Sequence, residues 1–392
     1  MAKRSKDSNY ALALKVSEKT ETSLQTHSLP SKRKQPNSDR VLRSCKKKLL
    51  NPEQTTQEVT QQDKPNPLLT IEDPLLEATV LRRPSSRNKS PFVIDIKLGT
   101  RECIAHAPSL DLGGKCIPGS KVFVKPARDP QGNLVGPDAV GKYNTPKCEY
   151  ICQLVHVSEP ENEPEGTYVG AHPSLGEKLA SQLLKPGSSV PFFHSEPKVI
   201  KQVKKEVSNI AGCDMRSDFL LEFTDGSACV VEVKTVPDSD RNPELYSIEE
   251  LESSQPLLAR AAYFSKKKPY VRSAIFPWGG GKQKGPDGEK VVSARAIKHI
   301  SELTKIAKGT KKETSYPRIE SAVLFIIARN DVEQFRPNHE ACPTFAKYLK
   351  KARDNGVKVA AVKFKYELEK VSSGYKCSVC FEGQIPIDWS YC

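Results

Sequence analysis

The sequence predicts a mixed α/β protein with two folded parts behind a disordered basic tail. Residues 1–75 are rich in polar and charged residues and show no hydrophobic periodicity. Residues 76–165 contain short strand-like runs separated by Gly and Pro turns, which indicates a small β domain. Residues 166–372 alternate helix-like and strand-like segments, which indicates an α/β domain, and residues 373–392 follow as a C-terminal tail.

The positive charge is concentrated in the predicted tail. The 392 residues carry a formal charge of +14, and residues 1–50 account for +9 of it, with 13 Lys and Arg against four acidic residues. Basic clusters at residues 32–34 and 46–48 resemble a bipartite nuclear-localisation signal, which the nuclear import machinery would bind. A solvated basic tail is an equally open interpretation. An organellar transit peptide fits less well, because the tail contains acids and more Lys than Arg.

Composition excludes several other classes of protein. No stretch approaches the ~20 apolar residues of a membrane-spanning helix, so no membrane association is expected. The start lacks the apolar core of a secretory signal. Eleven cysteines without regular spacing do not form a disulfide pattern, so we expect reduced thiols and a nuclear or cytoplasmic location.

The predicted β domain resembles a small barrel of the OB type. Its strand-like runs lie at residues 92–96, 102–106, 121–124 and 150–155. Such barrels bind nucleic acid with a basic groove and stacking aromatic rings. Candidate residues for that surface are Arg82, Arg83, Arg87, Lys89 and Phe92. A barrel that only supports its neighbour is the alternative.

The second domain is predicted to be a mixed sheet with helices between its strands. Leucines at helical spacing begin it, and a Thr-Asp-Gly-Ser turn predicts a hairpin between two of its strands. Ser293 is expected to be the N-cap of the second helix. The order is a helix near 175–183, strands at 199–207, 217–223 and 228–236, an irregular insertion at 238–290, a helix at 293–309, a strand at 321–328, a helix at 343–355 and a strand at 357–364.

The predicted hairpin carries the residues best suited to catalysis. Glu232 and Lys234 are two apart on one apolar strand, so their side chains share a face. Asp218 begins the preceding strand, and the short turn can bring its carboxylate beside Glu232. Two carboxylates with a backbone carbonyl suit Mg²⁺ or Mn²⁺. Lys234 would then act on an attacking water. The alternative is a surface salt bridge on a half-exposed strand.

This acid, hairpin and Glu-x-Lys order is the pattern of the PD-(D/E)XK nuclease superfamily. Longer stretches of the chain, over roughly residues 76–366, resemble the sugar fermentation stimulation protein family. They are Arg216-Ser217-Asp218-Phe219-Leu220-Leu221-Glu222, Val231-Glu232-Val233-Lys234-Thr235-Val236, Phe276-Pro277 before Arg295-Ala296-Ile297-Lys298-His299, Ala322-Val323-Leu324-Phe325-Ile326-Ile327-Ala328-Arg329-Asn330-Asp331 with Phe335-Arg336-Pro337, and Asn355-Gly356-Val357-Lys358-Val359.

The resemblance implies an OB-like domain, a nuclease-like domain and DNA binding. Asp218, Glu232 and Lys234 match the family's nuclease core, and Glu206 matches an acid on the strand before the hairpin. Arg216, which heads one matched stretch, is taken as a further nucleic-acid-binding residue. The insertion and the basic tail are additions to the compact bacterial form, and they suggest a eukaryotic member.

Three other groups of residues have two interpretations each. His299 either approaches the metal site or is a structural helix residue. Arg329 and Asp331 end a central strand, where they either bind phosphate or pair with each other. Cys377 and Cys380 lack a second ligand pair nearby, which favours free thiols over a zinc site.

The function predicted from the sequence is DNA binding with Mg²⁺- or Mn²⁺-dependent phosphodiester hydrolysis. Asp218 and Glu232 would hold the metal, Lys234 would serve the nucleophile and Glu206 would assist. The main alternative is a non-catalytic DNA-binding regulator on the same fold. RNA is a further candidate substrate.

Overall fold

The computed structural model of the protein describes residues 66–108, 114–194, 196–247, 263–310 and 315–390. The two basic clusters at residues 32–34 and 46–48, and almost all of the tail predicted to be disordered, lie outside these residues. Within the described ranges, no helix is long and apolar enough to cross a membrane.

After a two-residue strand, β1 (Leu69–Thr70), six strands form one sheet, and five of them close into a barrel, which confirms the predicted OB-like domain. Their order is β4-β3-β2-β5-β6-β7, and a parallel pairing of β4 with β6 closes the first five into a barrel. Buried Ile, Val, Ala and Cys side chains fill its interior. The strands are β2 (Leu76–Arg82), β3 (Val93–Leu98), β4 (Arg101–His106), β5 (Lys121–Pro126), β6 (Tyr150–Val157) and β7 (Thr167–Gly170).

The second domain is the mixed α/β sheet that the sequence predicts. Its strand order is β1-β17-β16-β14-β10-β9-β8, with β10, β14 and β16 parallel in the centre. The last seven residues of β14 are all buried, as expected of a central strand covered on both faces. The strands are β8 (Ile200–Ser208), β9 (Arg216–Phe223), β10 (Ala228–Val236), β14 (Ile319–Ile327), β16 (Lys358–Val371) and β17 (Gly374–Ile385).

Three α-helices in the described part of the chain cover this sheet. Helix α1 (Pro173–Leu183) belongs to the apolar core of one face, and α2 (Ala294–Ala307) and α3 (Pro343–Asp354) belong to the core of the other. The Ser293 side chain accepts a hydrogen bond from the Ala296 N–H, so the predicted N-cap of α2 is present.

The sequence-based boundaries differ from the structure at three places. Residues 69–70, assigned to the disordered tail, form β1 of the main sheet, and Leu75 is fully buried. Residues 374–385 form β17, which pairs with β16 and β1, so most of the segment assigned to a C-terminal tail belongs to the main sheet. The segment assigned to an insertion contains short strands in its described part. These are β11 (Ser273–Phe276), β12 (Gln283–Lys284) and β13 (Lys290–Val291), and β11 pairs with β15 (Gln334–Pro337).

Apolar and charged contacts join the barrel to the main sheet. Phe123 and Leu154 of the barrel belong to the same buried core as the α1 face of the sheet. The N–H of Gly170 in β7 donates to the carbonyl of Ala328 at 2.8 Å, just beyond β14. This shared core fixes the barrel against the α/β domain.

A buried network of ions lies at the same junction. Glu159, from the segment after β6, accepts from Arg241 at 2.9 Å and from Arg329 at 3.3 Å, and it also pairs with Arg272. Arg329 pairs with Asp331 through two contacts of 2.6 and 2.7 Å. Of the two sequence interpretations of Arg329 and Asp331, the structure therefore shows the pairing.

Candidate active site

The two candidate carboxylates meet where β9 and β10 separate. The antiparallel pairing of these strands ends at Val231 and Phe219, which are the residues next to Glu232 and Asp218. Beyond that pair, the Val233 N–H donates to Asp218 Oδ2 at 2.6 Å instead of to a strand carbonyl. Asp218 is thereby held at the open end of the hairpin, on the strand adjacent to Glu232.

Glu232 is the most enclosed member of the site. It is only 2% exposed, and His299 Nδ1 on α2 lies 2.6 Å from its Oε1. Lys234 Nζ donates to the same oxygen. The other oxygen, Oε2, is buried and has no hydrogen-bond partner. A buried carboxylate oxygen without a partner is costly, so this atom is a natural ligand position for a cation.

The pKa values of the two acids move in opposite directions. Burial and the negative charge of Glu232 raise the pKa of Asp218 to about 6. Burial also acts to raise the pKa of Glu232, but hydrogen bonds and charge from His299 and Lys234 outweigh it, so the net pKa of Glu232 is lowered. Glu232 is therefore the permanently charged partner near neutral pH, and Asp218 is the acid that titrates.

The raised pKa of Asp218 predicts a stability effect in metal-free protein. Because the folded state favours the protonated acid, the Asp218 charge costs stability that grows as pH rises from 3.8 toward 6. Asp218→Asn, which can still accept from Val233, should raise the melting temperature in chelator at pH 8 and leave it nearly unchanged at pH 4. Calorimetric melts across this pH range test this. A constant difference at every pH would contradict it.

Glu206 lies near the pair but is mostly exposed. It occupies the edge strand β8 with a positive φ of 51°, and its side chain pairs with Arg216 at 3.3 Å. Glu206 and Asp218 line one cavity of about 240 Å³. The structure thus places Glu206 at the rim of the site, and Arg216 is held beside it.

A further acid, Glu177, was missed by the sequence analysis. It lies on α1 in the wall of the same cavity, and its charge contributes to the raised pKa of Asp218. The neighbouring Gly176 allows α1 to pack closely against β10, because a Cβ at Gly176 would lie 1.9 Å from Thr235 Oγ1. A glycine within an otherwise helical apolar pattern was the signal that could have revealed this close approach.

A large basic cleft lies on the other side of the site. It has a volume of about 830 Å³, and His299 is in its wall. Lys298 in this cleft pairs with Asp214 at 2.7 Å, whereas Arg295 is exposed. The cationic side chains that line it are Arg216, Lys284, Arg295 and Lys298.

The predicted nucleic-acid-binding residues of the barrel lie in and beside the β2–β3 loop. Some of them are bonded to other residues of the chain, and others are exposed. Arg83 donates to the carbonyls of Pro91 and Ala107, and Arg87 pairs with Glu149, so both are used within the chain. Phe92 is half-buried in the same loop. Arg82 and Lys89 are exposed, and they are the members of the set best placed to meet a ligand.

The donor set fits a hard divalent cation. Among the residues described, no three His, Cys, Asp or Glu side chains converge as a complete metal cage. Asp218 and the unpartnered oxygen of Glu232 supply two carboxylates, which suits Mg²⁺, since this ion is commonly held by one or two carboxylates together with water and substrate phosphate.

Comparisons with known proteins point to one family. A family model described as the sugar fermentation stimulation protein RE domain matches residues 286–370. The sugar fermentation stimulation protein homolog of Acaryochloris marina is 24% identical over 302 residues, covering 76% of this chain and 90% of that protein. The homolog of Maricaulis maris is 25% identical over 272 residues, covering 69% and 83%.

A solved structure has the same fold. Pyrococcus furiosus SfsA, determined in complex with Ca²⁺, matches 82% of this chain and 99% of its own, with a TM-score of 0.50 and 21% identity. At this level of identity the likeness shows the fold alone. The expectation that this chain is a eukaryotic member stays a prediction.

Proposed function

Since the chain belongs to the sugar fermentation stimulation protein family, we propose that it binds DNA and hydrolyses phosphodiester bonds with a divalent metal. The observation that carries this proposal is the buried, unpartnered Oε2 of Glu232 next to Asp218 at the open end of the hairpin. Mg²⁺ or Mn²⁺ is the proposed ion. The structure of Pyrococcus furiosus SfsA was determined in complex with Ca²⁺, which supports a divalent cation in this fold.

The side chains have separate proposed roles. Asp218 and Glu232 hold the ion, which when bound polarises a phosphoryl oxygen and favours deprotonation of water. Lys234, whose side chain is 16% exposed, can turn from Glu232 toward the attacking water. His299 donates to Glu232 Oε1, which keeps that carboxylate ionised and leaves Oε2 for the ion. Glu206 and Glu177 flank the site and would orient water or a second cation.

The DNA backbone has a suitable surface beside the acids. The cleft next to His299 contains Arg216, Lys284, Arg295 and Lys298, whose guanidinium and ammonium groups suit phosphate oxygens. Such contacts release condensed counterions, so the affinity for DNA should fall steeply as salt increases. Arg82 and Lys89 on the barrel are further exposed cations that would contact phosphate.

Cleavage assays on single- and double-stranded DNA and RNA test the proposal. With Mg²⁺ or Mn²⁺ we expect nuclease activity that chelator removes and that Asp218→Ala lowers by about 10²–10³-fold. Glu222→Gln is the matched control, because Glu222 lies on the same strand but pairs with Lys204 away from the site. Activity that survives chelator and Asp218→Ala would remove the metal-site assignment. DNA binding without cleavage of any substrate would instead show a non-catalytic regulator.

A further inference from the structure

Two adjoining cavities lie along α1 between the barrel and Asp218. At the barrel end is a cavity of about 370 Å³ enclosed by α1, β5, β6 and residues 69–72. At the other end is the cavity of about 240 Å³ whose wall contains Asp218 and Glu206. The two cavities adjoin, because four residues line both, and together they are termed the α1 groove; the shared residues are Ser174, Lys178, Ser181 and Lys205.

Charge varies along the α1 groove. The barrel end contains Lys125, Lys178 and Lys205 with one acid, Glu72, whereas the other end combines Lys178 and Lys205 with three acids, Glu177, Glu206 and Asp218. None of these three lysines has an ion-pair partner among the side chains that the structure describes, whereas the adjacent Lys204 pairs with Glu222 at 2.6 Å. The other end holds Asp218, one of the two acids that would bind the metal. A polyanion would therefore be attracted by the barrel end and reach the carboxylates only where a cation neutralises them.

The uncharged wall of the groove suits nucleobases. Burial lowers the pKa of His172 to about 4, so its imidazole is neutral near pH 7. Ile151 adds an apolar surface, and the Gln153 and Gln182 side chains carry amide donors and acceptors. Single-strand binding usually combines a positively charged groove with aromatic rings on which bases stack, and the neutral His172 imidazole is such a ring at this end of the groove.

The size of the groove selects against a duplex. Its two cavities hold about 370 and 240 Å³ between the barrel and the sheet. B-DNA has a major groove that is alone about 12 Å wide, so a whole duplex cannot enter such a passage. A single chain of nucleotides is much thinner and can follow it.

We propose that the α1 groove binds an unpaired DNA strand and leads it from the barrel to Asp218, which lies on the strand next to Glu232. This inference rests on the proposed function, and it specifies the substrate class as single-stranded DNA or a duplex with an unpaired end. Lys125, Lys178 and Lys205 contact successive phosphates. A blunt duplex is a poor substrate, because neither of its strands has an unpaired end that can enter the α1 groove.

The test is single-strand binding in chelator by the full chain with all three lysines changed to glutamine. We expect Lys125→Gln, Lys178→Gln and Lys205→Gln together to weaken binding of a single-stranded DNA oligonucleotide about tenfold or more. Loss of three phosphate contacts should also reduce the slope of log affinity against log salt by about 2. Binding of a blunt duplex should change much less. Fluorescence anisotropy over a series of salt concentrations measures both quantities.

A variant with the same change in net charge is the control. Lys347, Lys351 and Lys370 are exposed and lie outside the groove, so their replacement by glutamine should leave single-strand affinity close to wild type. An equal loss in both triple variants would overturn the proposal, since only net charge would then matter. Stronger binding of single-stranded RNA, lost in the groove variant, would overturn the assignment to DNA.

The experiments can refute the proposed binding groove and the proposed nuclease activity independently of each other. If wild type cleaves nothing while the groove variant loses single-strand affinity, the proposed hydrolysis is refuted and the binding groove stands. If wild type cleaves DNA with metal while the groove variant binds and cleaves single strands normally, the groove is refuted and the hydrolysis stands. Restored binding after Lys→Arg changes at the three positions would support phosphate contacts.

Discussion

Glu232→Gln should lower metal-dependent cleavage by about 10²–10³-fold while the protein remains folded. The change keeps the size of the side chain but removes the charge from the most enclosed group of the site, which is 2% exposed. It also replaces one of the two carboxylate oxygens with an amide nitrogen, which cannot ligate a hard cation. Single-turnover cleavage at saturating DNA, with Mg²⁺ titrated, measures the loss.

A binding measurement separates this effect from a loss of structure. DNA affinity of Glu232→Gln in chelator should remain within a few-fold of wild type, because the basic cleft and the barrel are unchanged. Glu222→Gln should show wild-type cleavage. Near-normal cleavage by Glu232→Gln, with the fold intact, would mean that this carboxylate is only the structural partner of Lys234 and His299.

Glu159→Gln should destabilise the protein by about 3–5 kcal/mol. Glu159 is 5% exposed and contacts Arg241, Arg272 and Arg329, so its neutralisation leaves buried guanidinium groups short of an anion. Urea unfolding at pH 7 measures the change in free energy. Glu165→Gln is the control, because Glu165 is exposed in the same connection and should change the free energy by less than about 0.5 kcal/mol.

The lowered pKa of Glu159 also predicts how the stability of the protein depends on pH. Burial acts to raise the pKa of Glu159, but the surrounding Arg329, Lys115, Arg241 and Arg272 hold it well below its usual value of 4.5. The stabilisation is therefore fully present above 4.5 and is lost as pH falls further. Wild type should lose stability faster than Glu159→Gln as the solution is acidified below that value. Parallel curves for the two proteins would contradict the role of the network.

Local patterns allowed much of the fold to be predicted. The apolar run in β14, the turn between β9 and β10, and Ser293 before α2 each have a cause within a few residues of sequence. β17 also had a local signal that the sequence analysis did not use, because Ser372-Ser373-Gly374 is a turn sequence and Tyr375, Cys377 and Val379 alternate with polar residues. β17 forms a tight hairpin with β16, whereas its pairing with β1 joins segments about 300 residues apart and could not be predicted from local sequence.

The candidate site, like the fold, could be predicted from the sequence only where local patterns determine it. Glu232 and Lys234 could be placed on one face of a strand, because that follows from the two-residue period of a strand. The contact of His299 with Glu232 and the position of Glu177 depend on how α2 and α1 pack on the sheet. Glu159 lies in a Glu- and Pro-rich connection that reads as solvated, and its cationic partners come from distant segments.

Titration of the nucleic-acid-free protein with Mn²⁺ tests the central claim most directly. Calorimetry on the full chain at pH 7.5 should show Mn²⁺ binding at the carboxylate site, and Asp218→Ala and Glu232→Gln should each remove it. Glu222→Gln should bind Mn²⁺ as wild type does. Equal Mn²⁺ affinity in wild type, Asp218→Ala and Glu232→Gln would contradict a metal site at these two carboxylates.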